Sequence, residues 1–70
     1  MKLHYYPDTD TLYISLRDHA SVDSQEVSAG IVLDFGADGS TVGIEIEDAS
    51  EKVDLSSLEA VALPESRLAS

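Results

Sequence analysis

Apolar and polar residues alternate through the first two-thirds of the chain, and that period of two marks strands with one buried face. Leu3 and Tyr5 alternate with His4 and Tyr6; Leu12, Ile14 and Leu16 alternate with Tyr13 and Ser15. Between the two runs, Pro7-Asp8-Thr9-Asp10 supplies turn residues, because proline fixes φ and aspartate side chains bond nearby backbone N–H groups. A turn centred on Asp8-Thr9 pairs Tyr5 with Leu12 and Leu3 with Ile14, so the apolar faces coincide. A polar loop follows from Arg17 to Ser24. A third strand is expected from Gln25 to Phe35, with Val27, Ile31, Leu33 and Phe35 in one phase. Gly30 inside it suggests a bulge or a close backbone approach. Asp38-Gly39 is a two-residue hairpin turn of the type I′ kind. It pairs Phe35 with Val42, Leu33 with Ile44 and Ile31 with Ile46.

Beyond Ile46 the pattern changes. Asp54 has the character of a helix N-cap, and Val53 and Leu58 are placed for a hydrophobic staple. Leu55, Leu58 and Ala62 hold helical spacing, and Pro64 ends the run. The expected fold is α+β: a four-stranded antiparallel meander of two hairpins, with one C-terminal helix packed on one face. Residues 1–64 read as a single small domain and 65–70 as a flexible tail. One helix is narrow cover for four strands, which leaves apolar surface for another molecule.

Composition narrows the functions open to such a chain. Seventy residues make one domain with a marginal core, and no cysteine is present to staple it. Fourteen acidic residues against four basic ones give a formal net charge of -10. Nucleic acid is therefore not an expected partner, since phosphate contacts need clustered Lys and Arg. No apolar run is long enough to cross a bilayer, and the start of the chain does not read as a signal peptide. The cytoplasm is the expected setting. Acids crowd at Glu45, Glu47, Asp48, Glu51 and Asp54, answered only by Lys52. This cluster reads either as a solvated loop favouring a helix N-terminus or as the site that steers a basic protein partner.

Other chemistry is thin. Asp34 to Gly39, with Glu45 beyond, matches a calcium loop in part, but Gly36 stands where an oxygen ligand is needed and the flanks are strands. The plain hairpin turn is the better reading. Asp8, Asp10, Asp34 and Asp38 are the remaining metal candidates, and no cofactor is expected. His4, Tyr6, Tyr13, Ser15, Asp34 and Glu45 share the outer phase, with His4 opposite Tyr13. That set resembles acid–base equipment, but nothing in the sequence suggests a pocket, and a solvated face with flat-lying aromatics is the better reading. No catalytic residue is assigned and no enzymatic activity is expected. Tyr6, Tyr13 and Val32 are instead interface candidates, since tyrosine is enriched in interfaces. His19 reads as an exposed loop residue, and neither a nucleophile elbow nor a phosphate-cradling glycine loop occurs.

Taken together, Tyr6-x-Asp8-x-Asp10-x-Leu12-Tyr13-Ile14, Gly30-Ile31-x-Leu33-Asp34, Asp38-Gly39, Val42-Gly43-Ile44-Glu45-Ile46 and Ala49-Ser50 resemble a small bacterial and archaeal family, the domain of unknown function numbered 2283. The resemblance covers about residues 1–52. It departs at Phe35-Gly36, where the family commonly carries a second acidic or tyrosine-bearing turn. The family implies no reaction and no catalytic residues. Some members are thought to lie beside toxin-like proteins, which implies an antitoxin role. The expected function is a non-enzymatic, acidic protein-binding module, either an antitoxin-like partner of a basic protein or a self-associating homo-oligomer. The alternative is a small divalent-metal- or ligand-binding protein using its turn carboxylates.

Overall fold

The alternation builds a sheet with one strand more than expected. A computed structural model describes residues 1–64. Its elements are β1 (Lys2–Tyr6), β2 (Thr11–Ser15), β3 (Asp23–Ser28), β4 (Ile31–Phe35), β5 (Thr41–Ile46) and a one-turn helix α1 (Ala49–Lys52). The strands form a single sheet in the order β1-β2-β5-β4-β3, antiparallel at every pairing. The α+β class holds; the four-stranded meander does not.

The extra strand arises at Gly30. The run from Gln25 to Phe35 is not continuous: it folds back on itself at Ala29-Gly30, where Gly30 adopts φ 75. That left-handed backbone comes free of strain only to glycine. The bulge expected there lies just before it, where the β3–β4 register shifts between Glu26 and Ser28. Val27 falls at this shift and is half exposed instead of sharing the apolar phase of Ile31 and Leu33. Strand β3 begins at Asp23, so the preceding loop is shorter than the Arg17–Ser24 stretch suggests.

Register on the two long hairpins follows the apolar pattern. Tyr5 pairs with Leu12, Leu3 with Ile14 and His4 with Tyr13. Ile31 pairs with Ile46 and Leu33 with Ile44. Phe35, however, faces Thr41 and not Val42, because the register slips between Asp34 and Phe35 as the strand enters the turn. The turn is therefore not the two-residue type I′ expected at Asp38-Gly39: it spans Gly36–Ser40, and of the pair only Gly39 has a positive φ, 85. In it Gly39 N donates to Gly36 O at 3.0 Å, and Asp38 Oδ1 accepts from Ser40 N and Oγ at 3.0 and 2.7 Å.

The helix expected after Asp54 is absent. Asp54 accepts from Ser56 N and Oγ in a local turn, and residues 57–63 carry no helix. Among the described residues the one helix precedes this segment, inside the acidic stretch. Its single turn cannot hold itself, since helix nucleation is unfavourable. Asp48 enters it in the left-handed region, φ 52, without a side-chain cap bond. The cap comes instead from the β1–β2 turn. Asp10 O accepts from Ala49 N at 2.8 Å, and the Asp10 carboxylate accepts from Ser50 N at 3.1 Å and Ser50 Oγ at 2.6 Å. Ala49, wholly buried, then packs with Leu12 and Ile46, and Ile14, Ile31, Ile44 and Val53 lie half-buried against them. Val53 thus joins the core cluster and makes no staple with Leu58. Residues 65–70, read from the sequence as a tail, lie outside the described residues.

Candidate functional site

Two faces and one end of the sheet present the functional side chains. At the end formed by the β1–β2 turn and α1, Asp10 is the hub. Besides capping α1, it accepts from the Tyr5 hydroxyl at 2.7 Å. The Ser50 and Tyr5 hydroxyls hold the Asp10 carboxyl below its ordinary range, and the same bond raises the Tyr5 phenol. Glu47 N donates to Gly30 O at 2.8 Å, and Lys52 Nζ reaches Glu47 O at 2.6 Å, closing the β3–β4 turn against α1.

The outer face carries Tyr13, Glu45, Val32 and Asp34 side by side. Gly43 has no side chain, and the Tyr13 ring lies across the space this leaves, so that a Cβ on Gly43 would run into the Tyr13 hydroxyl. Asp34, expected on a solvated face, is only 6% exposed. It pairs across the strands with Gly43, and Val32 pairs with Glu45. A hydrogen bond with the Asp34 carboxyl, then burial, raises the Glu45 carboxyl, because two close carboxyls hold a proton better than either alone. Burial, reinforced by the charges of Asp34 and Glu45, raises the Tyr13 phenol. Beside this group Tyr6, Thr9, Thr11, Tyr13 and Glu45 line an open groove of about 460 Å³. The His4 and Tyr6 rings stack with centroids 4.2 Å apart.

The inner face is apolar and incompletely covered. Leu3, Tyr5, Leu12, Val53, Leu55 and Leu58 border a groove of about 340 Å³ over β1 and β2. Toward β4, Ile31, Leu33 and Ile44 remain half-exposed. Leu58 is 78% and Val61 72% exposed.

The four metal candidates are scattered. Asp8 and Asp10 lie in the β1–β2 turn, Asp38 in the β4–β5 turn at the opposite end, and Asp34 on β4. Asp38 is engaged by Ser40, whose hydroxyl and backbone N–H hold its carboxyl below the ordinary range, and Arg17 Nη1 lies 3.9 Å away. Among the described residues no three His, Cys, Asp or Glu side chains gather as a metal-holding group. Of the five crowded acids, Glu47, Asp48, Glu51 and Asp54 lie in or next to α1, and Asp54 borders the inner groove. Glu45 turns to the outer face beside Asp34. Of the interface candidates, Tyr6 and Tyr13 share the outer groove, and Val32 lies on the same face.

Sequence reasoning missed two contacts. The capping of α1 by Asp10 joins residues far apart in the chain, and no local spacing announces it. The Asp34–Glu45 pair was within reach, since the Ile31–Ile46 register already sets these residues on one face.

The architecture is that of a small open-sheet domain with one half-covered apolar face; among the described residues no helix is long and apolar enough to cross a membrane. Residues 2–50 match the family model described as "Protein of unknown function (DUF2283)", and the chain belongs to that family. Neither the curated proteins nor the solved structures hold a match to the chain.

Proposed function

We propose that this chain is a non-enzymatic binding module for a basic protein, in the manner of an antitoxin-like partner, and that the inner sheet face is its binding surface. The observation that carries the reading is the poverty of cover on that face. Among the described residues only Leu12, Val42, Ile46 and Ala49 are buried apolar side chains, while Ile14, Ile31 and Ile44 stay half-exposed on a strand face built to be buried. An apolar centre with a polar rim is the anatomy of a protein interface. We take the acids of the α1 segment, Glu47, Asp48, Glu51 and Asp54, the last of which borders the apolar groove, as that rim, and a net charge of -10 favours a partner whose own rim carries Lys and Arg.

The test uses adjacent residues of β4 that point to opposite faces. A photo-cross-linking side chain at Leu33 should capture a basic protein in the host cell, whereas one at Val32 should not. Substituting the four rim acids with amides should weaken that capture at least about tenfold and flatten its salt dependence. Capture from Val32 instead, or from neither position, overturns the reading.

A further inference from the structure

The sheet is open, and its two edges differ. The β3 edge is guarded: it carries Asp23 and Glu26, and its register breaks between Glu26 and Ser28. Charged side chains, proline and bulges are the devices that stop one sheet edge from adding another. The β1 edge has one charge, Lys2 at its very start, and no bulge. Lys2–Tyr6 pairs with β2 in unbroken register over all five residues and contains no acid and no proline. Every residue of β1 is exposed. Among the described residues, its one backbone bond outside the β2 ladder is that from Thr9 N to Tyr6 O at 3.3 Å.

We infer that the β1 edge is a self-pairing seam, at which two copies of this chain join their β1 strands antiparallel about a two-fold axis through His4. In that register Leu3 faces Tyr5 of the second copy, Tyr5 faces its Leu3, and Lys2 faces its Tyr6. The pairing is self-complementary, as a two-fold interface requires. On the inner side Leu3 and Tyr5, both 40% exposed, gain cross-strand partners. The two apolar inner faces then run on as one. On the outer side Lys2 comes beside the stacked His4–Tyr6 rings and the Asp8 turn of the second copy. Neither Lys2 nor Asp8 has an ion-pair partner among the described residues. The charge distribution favours this strand over every other: β3, β4 and β5 all carry acids, and β2, free of them, is already paired on both sides. A chain of net charge -10 meets itself with least repulsion along the strand that has a Lys and no acid. A seam of five residues a side is small, so a dissociation constant on the order of 10 µM is expected.

The absence of cysteine makes the test clean. Facing side chains across an antiparallel pair have Cβ atoms about 4.5–5.5 Å apart, close to what a disulfide spans. Under mild oxidation His4→Cys should form a covalent homodimer rapidly, whereas Ser24→Cys on β3 should not. By sedimentation at about 100 µM, the unsubstituted chain should be mostly dimeric. Lys2→Glu, with its circular dichroism unchanged, should weaken the dimer at least about tenfold. A monomer at that concentration overturns the inference. So does a dimer that cross-links through Ser24→Cys, or one that Lys2→Glu leaves untouched. A monomer that still cross-links from Leu33 to a basic protein would sink the seam and leave the inner-face reading standing.

Discussion

On the inner face Leu12, Ile46 and Ala49 are shut away from water by contact with one another, whereas on the outer face of the same strands Tyr13, Asp34 and Glu45 are arranged around a missing side chain and a pair of neighbouring carboxyls. Alternation delivers both sets from the same backbone, yet the physics differs. Inner residues contribute in proportion to the apolar area they remove from water, with little regard to pH. The outer residues contribute through polar geometry, which responds to protonation and to a single methyl group. Stability therefore rests on the inner face, and sensitivity to conditions on the outer face and the Asp10 hub.

The comparison can be broken most severely from inside. Leu12→Ala removes the side chain to which β1, β5 and α1 all pack, and should cost about 2–5 kcal/mol in urea denaturation, enough to unfold much of so small a domain. A loss under about 1 kcal/mol would mean that the inner cluster is not the stabilising one. On the outer face Gly43→Ala should cost less, about 1–3 kcal/mol, by displacing the Tyr13 ring. The displacement should appear as a changed near-ultraviolet tyrosine signal. Combining the change with Tyr13→Ala should then give far less than the sum of the two losses.

The hub between the faces responds to pH. Asp10→Ala should lower the melting temperature by roughly 4–8 °C at neutral pH, the scale of a lost helix cap. Because the folded Asp10 carboxyl lies below its unfolded value, its contribution is present above the ordinary aspartate range and disappears as pH falls through the folded value. The difference between the two proteins should therefore narrow in acid, down to the backbone cost of placing alanine at φ 53. A difference that does not narrow at all would show that the cap does not act through the carboxylate. Glu45 has the opposite sign. Its folded pKa is raised, so its contribution is full at low pH and is lost as pH rises through that value. Glu45→Gln keeps a donor toward Asp34 and removes the second charge. It should raise the melting temperature at pH 7 by roughly 2–4 °C and have little effect near pH 4. A fall at pH 7 would contradict the paired-carboxyl arrangement.

What could be read from the sequence follows the range of the interactions. The β4–β5 hairpin and the pairings of Tyr5 with Leu12 and Leu33 with Ile44 are local, and chain pattern was enough to place them, whereas the two-residue turn read at Asp38-Gly39 proved to be the longer Gly36–Ser40 connection. The Ala29-Gly30 turn was hidden because Val27 and Ile31 share a parity, and the bulge that breaks the phase leaves no mark in composition. At the C-terminal side, helical spacing over Leu55, Leu58 and Ala62 found no surface that fixes it. Ser50, with no helical signature of its own, became helical through a carboxylate forty positions earlier. The candidate site divides in the same way: Tyr13 and Glu45 were placed by alternation, whereas the role of Asp10 required the tertiary fold.

The strand order also bears on how the molecule comes together. The β1–β2, β3–β4 and β4–β5 pairings are hairpins between neighbours in the chain, and such hairpins form in about 1–10 µs. The β2–β5 pairing alone is non-local, matching Leu12 to Ile46 and Ile14 to Ile44. Assembly is then the docking of a two-stranded unit onto a three-stranded one, with loop closure between β2 and β5 as its slow step. Either unit waiting alone exposes the flank that the other will cover. For a protein that presents open strands to its surroundings, the interval before docking is when it is most vulnerable to pairing with the wrong chain.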